Sequence, residues 1–360
     1  MPRSFAAPPP AKFGASATRG TPMISKVMTS TAPSTKTWTV SEPAALPVFH
    51  ILEKTHAKVN APAQVVADRI CECLRVLNIA ADASHMEDVE EERNILRAET
   101  RDYVKFSVRL FSGNQGIVVV EVQRRCGCSY SFREASRAVL HAAKDDSAPP
   151  CIPPLPPKRN LATPPYIPER TAEARQSCVQ DDFEIALGML LSERTDSQDL
   201  ALDSLECMTQ SCGAVDQLAK SILREECLQR LVALLEVADE EEDSQCARKV
   251  MAVLANSFAA LGPGDLAEVL VSASNLKEGS FLAILCCSLR DAAEKPHDAC
   301  QAARCLQALL ISNEVKANIM EMRQLMEVVE SACSAGCNSH RALEQESRKL
   351  MEQLRKVSSC

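Results

Sequence analysis

A concentration of basic side chains lies between Arg101 and Lys144, where eight Lys and Arg residues accompany three Asp and Glu residues. Arginine can hold a phosphate or carboxylate group through paired hydrogen bonds, and each basic residue near an anionic membrane contributes about 1 kcal/mol to binding. The segment therefore indicates a site for an anionic phospholipid or an acidic protein partner. The alternative is a solvated strand face, on which the aliphatic parts of the arginines cover the sheet.

Few residue patterns in the sequence favour metal binding or catalysis. Cys333-x-x-x-Cys337-x-x-His340 supplies three of the four ligands that a structural zinc site needs, and neither Cys-x-Cys pair in the chain has the spacing of a zinc-binding pair. The phosphate-binding loop, the Gly-x-Ser-x-Gly motif, His-Glu-x-x-His and the protein-kinase motifs are absent from the sequence. We therefore predict a protein without catalytic activity, bound metal or cofactor.

Charge and proline content divide the chain of 360 residues, with a formal net charge of −8, into four segments. Residues 1–46 form a basic segment rich in Ser, Thr and Pro, and residues 145–172 hold a second block of prolines. We predict a disordered tail over the first of these and a stiff, polyproline-like linker over the second. The tail precedes one predicted domain at 47–144, and the linker connects this domain to a second one at 173–360.

Several features favour a cytoplasmic location. The sequence has no uncharged apolar run of about 18 residues and no apolar signal segment near its start. Its 17 cysteines are an odd number, which favours reduced thiols over a disulfide framework. Organellar import is less favoured, because Pro2 and the prolines at 8–10 would break the amphipathic helix of a mitochondrial leader. The basic segment suggests that the cytoplasmic protein also attaches to the surface of a membrane.

The pattern over residues 47–144 predicts an α+β domain with the order β-α-β-β-β-α. A β-prone run at 48–52 precedes a helix that begins near Pro62 and buries residues spaced three or four apart. Strand-like runs follow, and a second helix closes the segment. The strand-like runs are 94–98, 103–111 and 117–123, and the helix is 133–143. We predict an antiparallel sheet with both helices on one face.

The run VQRRCGCSYSFR, from Val122 to Arg133, resembles the last hairpin-and-helix signature of the kinase-associated C-terminal domain. That domain lies at the C-terminus of polarity-regulating and checkpoint-type protein kinases. The shared pattern is a basic pair, Gly-x-Ser-x-x-Phe, a basic residue and an apolar-periodic helix, and the order of elements over 47–144 also agrees. The resemblance covers roughly a quarter of the chain.

The resemblance implies a module that docks to acidic phospholipids, or to a kinase, through clustered basic side chains. Arg124 and Arg125 match the basic pair, Arg133 matches the basic residue after the aromatic position, and Arg137 follows one helical turn later. We predict that these four arginines bind the anionic lipid or acidic partner. Two features depart from the family: cysteines flank the glycine in place of Ser and Thr, and an acidic run at 87–92 would repel lipid.

Residues 173–360 predict an all-α domain of repeated helices. Four sets of apolar positions recur at intervals of about 45 to 55 residues, which is typical of armadillo and HEAT repeats. The sets are Ala201, Leu205 and Met208; Ala247, Met251 and Leu254; Ala302, Leu306 and Leu309; and Ser347, Met351 and Leu354. The segment resembles an armadillo/HEAT-like solenoid, whose groove would bind a protein partner. Its 31 acidic and 18 basic residues over 171–360 favour a basic partner and argue against nucleic acid.

Together these patterns predict a non-catalytic adaptor or scaffold. The α+β domain would dock to an anionic phospholipid or a kinase, and the helical repeats would bind a protein partner. Two alternatives stay open. One is a structural assembly protein that binds no lipid, and the other is an enzyme of a type that has no recognised motif.

Overall fold

The computed structural model describes residues 38–40, 42–82, 94–113, 116–144, 172–211, 215–240, 244–272, 279–310 and 322–358. Within these ranges lie five strands, all in the N-terminal part, and 12 helices, of which ten are in the C-terminal part. Both parts belong to one compact unit, Thr35–Cys360. The acidic run at 87–92, most of the predicted tail and nearly all of the predicted linker lie outside the described residues.

The N-terminal part is a five-stranded antiparallel sheet with two helices. Its elements are β1 (His56–Val59), α1 (Ala63–Val76), β2 (Ala80–Asp82), β3 (Ile95–Glu99), β4 (Lys105–Ser112), β5 (Val118–Cys126) and α2 (Ser129–Ala143). The strands lie side by side in the order β1-β5-β4-β3-β2. The two helices contact each other and share one core with the sheet. The predicted α+β class of this part is therefore confirmed.

Alternation along the strands builds that core. Phe106, Val108 and Leu110 of β4 are buried together with Ile70 and Leu74 of α1. Successive strand residues point to opposite faces, whereas helix residues four apart share a face. The intervening residues of the strands therefore point away from the helices. We term this side of the sheet its outer face.

Two strands differ from the sequence prediction. The run at 48–52 is not a strand, because Pro47–His50 forms a turn in which the Pro47 carbonyl accepts from the His50 N–H at 3.0 Å. The strand at the edge of β5 is His56–Val59, which follows this run in the chain. At the opposite edge, the short strand Ala80–Asp82 pairs with β3 and was not predicted.

Trp38 belongs to the core of the sheet, although the sequence analysis placed it in the tail. Its side chain is 2% exposed and packs in the same apolar cluster as α1. The Gln64 side chain fixes the neighbouring backbone, since it donates to the Trp38 carbonyl at 3.1 Å and accepts from the Val40 N–H at 3.0 Å. The packed chain thus begins before residue 47.

The C-terminal part is helical. Its elements are α3 (Ala172–Leu190), α4 (Thr195–Ser211), α5 (Val215–Ile222), α6 (Glu225–Glu240), α7 (Ser244–Ala260), α8 (Pro263–Ser272), α9 (Gly279–Arg290), α10 (Pro296–Leu309), α11 (Met322–Ser339) and α12 (Arg341–Ser358). Helices α4, α7, α10 and α12 lie next to one another in chain order, and we call them the inner row. Helices α6, α9 and α11 contact one another in the same order and pack against the inner row.

The four predicted apolar sets lie one on each helix of the inner row. Ala201, Leu205, Leu254, Leu306 and Leu354 are fully buried in a single apolar cluster that joins the helices. The apolar spacing therefore marks the faces of these helices that pack against neighbouring helices and are shielded from water.

Candidate functional site

The outer face of the sheet carries an excess of basic side chains. The strand register and the alternation of buried positions place five basic and three acidic residues there. The basic ones are Lys58, Arg97, Lys105, Arg109 and Arg125, and the acidic ones are Asp82, Glu99 and Glu121. Glu99 is paired with Lys105 and also with Arg248 of α7, so it offsets this positive charge only in part.

Four of these basic side chains line a hollow of about 920 Å³ on the outer face, which we call the basic hollow. They are Arg97, Lys105, Arg109 and Arg125. The segment before α10 supplies part of the wall through Ala293 and Glu294. The volume falls in the range of sites that hold small molecules or ligand headgroups.

Polar atoms in the basic hollow lack hydrogen-bond partners. Ser107 Oγ and Arg109 Nε are buried and have no partner among the described residues, and the same holds for Gln123 Oε1, whose residue lies opposite Ser107 on β5. Ser107 itself is only 1% exposed. A buried donor or acceptor left unpaired costs about 1–3 kcal/mol.

The four arginines predicted as a single site lie on different surfaces. Arg125 lines the basic hollow, whereas Arg124 lies on the helix side and donates to the Gly127 carbonyl at 2.7 Å. Arg133 and Arg137 are exposed, one turn apart on α2. Arg125 is the extra residue of an irregularity in the β4–β5 pairing, and of the four arginines it alone lines the basic hollow.

Arg97, Lys105 and Arg109 are candidate site residues that the sequence analysis did not single out. A signal for two of them was present in the predicted strand 103–111. Its alternation with the buried positions 106, 108 and 110 places Lys105 and Arg109 on one face. Arg97 joins them only because β3 pairs with β4, which places it opposite Ser107.

Next to the basic hollow, the segment Pro47–Leu52 carries apolar side chains in solvent, and we call it the apolar loop. Val48, Phe49 and Ile51 are 93%, 95% and 91% exposed. Val48 and Phe49 are the two central residues of the turn that begins at Pro47. Central turn positions usually hold Gly, Asn, Asp, Ser or Pro, so an apolar tip has no local structural reason.

Hydrogen bonds fix the apolar loop to the outer face. Before the loop, the Ser112 N–H donates to the Ala44 carbonyl at 2.8 Å. Within it, the His50 ring lies 3.1 Å from a Glu121 carboxylate oxygen, and the Glu53 N–H donates to the other oxygen at 2.7 Å. Glu121 is directly opposite Arg109 in the β4–β5 register. The apolar loop and the basic hollow therefore adjoin on one surface.

A second polar site lies where the sheet meets the inner row. Arg248 of α7 donates to Asp298 Oδ1 at 2.5 Å and to Glu99 Oε1 at 2.8 Å. Its guanidinium also lies 4.8 Å from the centre of the Tyr103 ring, at the tip of the β3–β4 turn. Burial raises the pKa of Asp298, although the nearby Arg248 cation opposes the shift.

Two histidines continue this junction. His297 Nε2 lies 3.1 Å from the Glu99 carbonyl, and His297 Nδ1 lies 3.1 Å from His340 Nε2. The remaining nitrogen, His340 Nδ1, accepts from the Leu343 N–H at 3.1 Å. Burial lowers the pKa of His297 to about 4, with a further contribution from the Arg248 charge. Burial likewise lowers the pKa of His340 to about 3, and His297 adds to the effect.

The same junction encloses a cavity of about 610 Å³. Arg304 lines it and donates to Gln301 Oε1 at 2.8 Å and to Asn256 Oδ1 at 2.9 Å. Asn256 in turn donates to Thr209 Oγ1 at 3.2 Å, so polar side chains connect three helices of the inner row. In the part of the chain that the structure describes, no carboxylate pairs with Arg304.

The described ranges contain no group of three or more His, Cys, Asp or Glu side chains that could hold a metal ion. Each cysteine whose side chain the structure describes is a free thiol. Nor does any helix among them combine the length and apolar composition that crossing a membrane would need.

Comparison with known proteins gives no relative: no protein-family model, curated protein or solved structure matches the chain. The likenesses to the kinase-associated domain and to armadillo/HEAT repeats therefore stay predictions from the residues.

Proposed function

We propose that the protein is a non-catalytic adaptor whose sheet docks to an anionic phospholipid surface and whose helices bind a protein partner. The observation that carries the first half is the basic hollow. It brings the side chains of Arg109 and Arg125 to one hollow. A phosphate oxygen would accept hydrogen bonds from their guanidinium groups, and hydrogen bonds between charged partners are stronger than neutral ones.

The proposed site differs from the site expected from the sequence in its position. It uses Arg125 and the outer face, not the surface of α2 that carries Arg133 and Arg137. A headgroup in the basic hollow would lie among four cationic side chains and three carboxylates, those of Asp82, Glu99 and Glu294. Each basic residue near an anionic membrane contributes about 1 kcal/mol, so several together support reversible docking.

Vesicle flotation with the full chain tests this half. Vesicles of phosphatidylcholine alone are compared with vesicles that also contain phosphatidylserine or phosphoinositides. The variant Arg109→Gln/Arg125→Gln should lose about tenfold to thirtyfold in affinity for the anionic vesicles, and added salt should weaken wild-type binding. The control Arg133→Gln/Arg137→Gln removes the same charge from α2 and should retain most of the affinity.

The flotation results separate the candidate functions. A wild-type chain that ignores anionic vesicles at low salt would contradict lipid docking and favour the structural assembly protein. Equal losses in both double variants would move the site away from the basic hollow. A larger loss in the α2 variant would favour the surface expected from the kinase-associated resemblance.

For the second half, we propose that the helices form an armadillo/HEAT-like solenoid whose inner row packs against the sheet, and that the partner binds away from this junction. Support comes from the order of contacts, in which α4, α7, α10 and α12 follow one another and α6, α9 and α11 pack against them. A single helix pair cannot bury its apolar face, so such stacks share one core. The partner is proposed to be basic, because residues 171–360 carry 31 acidic and 18 basic residues.

Fluorescence anisotropy with two labelled peptides of equal length tests this half. A Lys/Arg-rich peptide should bind the full chain in a salt-sensitive way, and a Glu-rich peptide should not. Preference for the Glu-rich peptide would contradict the proposed basic partner.

A further inference from the structure

We propose that the apolar loop enters the hydrocarbon region of the bilayer, with Val48, Phe49 and Ile51 as the inserting side chains. This inference rests on the proposed docking of the outer face to anionic lipid. It adds the orientation of the protein on the membrane and the depth of its contact, since the outer face would turn toward the bilayer and the apolar loop would insert.

The exposure of the apolar loop is the first argument. Single apolar residues on a surface are ordinary, but these three occur within four residues and each is more than nine-tenths exposed. Each gains free energy when its apolar area leaves water. None of the three packs in the core of the sheet, so the fold itself does not account for them.

The fixed position of the apolar loop is the second argument. The turn from Pro47 to His50 is closed by a backbone hydrogen bond, and His50 and Glu53 both contact Glu121 of the sheet. His50 also packs on Phe111, with 5.1 Å between the ring centres. The loop is thus held in place before it meets a ligand, and a preorganised segment loses little entropy on binding.

The charges around the apolar loop favour a bilayer over another occupant. Lys54 and Lys58 are exposed beside the loop together with one carboxylate, Glu53, and the basic hollow adjoins the loop through the pairing of Glu121 with Arg109. An anionic bilayer offers a negative surface above hydrocarbon, which matches cations surrounding an apolar tip. A protein partner or a second copy of the chain would have to supply acidic groups around an apolar pocket.

A fluorescent reporter tests the depth. In the variant Phe49→Trp the new indole stands at the tip of the loop, whereas the native Trp38 is 2% exposed inside the core. With phosphatidylserine-containing vesicles, the added emission should shift to the blue. It should also be quenched by nitroxide groups attached to the lipid chains, while wild-type emission changes little.

Matched substitutions test the contribution to affinity. Val48→Ser, Phe49→Ser and Ile51→Ser remove apolar area from side chains that contact little of the fold. Each fully inserted side chain is worth roughly tenfold in vesicle affinity, so the triple variant should bind far more weakly while retaining its salt dependence. The control Ile185→Ser changes a residue that is 62% exposed on α3 and should float like the wild type. Circular dichroism melting checks that all variants fold.

Each outcome decides the proposal. Chain-depth quenching together with weaker binding of the triple variant supports insertion. If wild-type flotation depends on Arg109 and Arg125 but the serine variants float normally, insertion is wrong and lipid docking stands. Weaker binding without quenching would place the loop among headgroups, which also contradicts insertion. No flotation of the wild type would overturn both proposals.

Discussion

His297 Nδ1 and His340 Nε2 lie 3.1 Å apart in the buried junction between the sheet and the inner row. The Leu343 N–H donates to His340 Nδ1, so the proton of that ring must be on Nε2. His340 then donates to His297, and His297 donates through its own Nε2–H to the Glu99 carbonyl. Each ring nitrogen is thus either a hydrogen-bond donor or an acceptor, and this pattern requires both rings to be neutral.

This relation predicts that stability falls as the pH drops below the ordinary histidine range. Unfolded histidines bind protons near their usual pKa of about 6.5, whereas the folded pKa values of His297 and His340 are lowered to about 4 and about 3. The unfolded state therefore binds more protons between about pH 6.5 and 4, and stability is lost there as pH falls. The loss should approach about 1.4 kcal/mol per pH unit for each histidine in this window.

Urea unfolding at a series of pH values measures this slope. The variant His297→Gln/His340→Gln lacks both titrating rings and should be less sensitive to pH across the same window. Asp298 has a raised pKa, so its effect on stability as pH falls is opposite in sign to that of the histidines. Because both chains retain Asp298, its contribution cancels in the comparison. Equal slopes for the two chains would contradict the prediction.

Arg248 should be essential to the stability of the junction. Its side chain and that of Asp298 are 8% and 5% exposed, so Arg248→Met would leave a carboxylate buried without its cation. Breaking a buried pair in this way costs about 3–5 kcal/mol. Urea unfolding should show that Asp298→Asn, added to Arg248→Met, recovers part of the loss. Arg194→Met is the control, since its pair with Asp196 is exposed and should leave the midpoint unchanged.

Asn78 caps a helix from the other part of the chain. Its side-chain oxygen accepts from the Ala342 N–H at 2.6 Å, in the first turn of α12, where backbone donors have no partner within the helix. Asn78→Gly should cost about 1 kcal/mol, the usual effect of losing such a cap. Asn78→Ala should cost more, because residue 78 has φ +56, a conformation that alanine disfavours. Asn78→Asp retains the acceptor and should unfold near the wild-type midpoint.

The glycine that joins β5 to α2 allows a paired test of backbone constraint. Gly127 has φ +92, and an added Cβ would lie 2.7 Å from Val104 Cα. Gly116 also has positive φ, but a Cβ there would meet no atom of the described residues within 4 Å. Gly127→Ala should therefore lower the thermal midpoint clearly more than Gly116→Ala, which carries only the conformational cost of about 1 kcal/mol. Similar midpoints for the two variants would contradict this geometry.

Local sequence patterns predicted much of the secondary structure, because the spacing of apolar residues along a segment favours one type of element. The helix from Ala63 to Val76 follows from apolar residues at helical spacing, and the strands β3 to β5 from their alternation. The run at 48–52 was misjudged because its composition is β-prone, while Pro47 starts a turn and another segment pairs with β5. Propensity describes a preference, and the competing edge partner decided the outcome.

The candidate site was less accessible to sequence reasoning. Arg124 and Arg125 look like one basic pair, yet Arg124 donates to the Gly127 carbonyl while Arg125, at an irregularity in the strand pairing, lines the basic hollow. The contact between Arg248 and Glu99 joins residues that are 149 apart in the chain, and no local pattern connects them. The junction between the sheet and the helices therefore emerges only from the packing of the two parts.

The cap that Asn78 provides also constrains how the protein is made. Asn78 leaves the ribosome 264 residues before its partner Ala342, so the sheet can assemble long before this contact exists. Until then the first turn of α12 is unmade and the acceptor on Asn78 is bonded to water. The junction must close after most of the chain has been translated, and nascent chains stalled before residue 342 should expose it to proteases and chaperones.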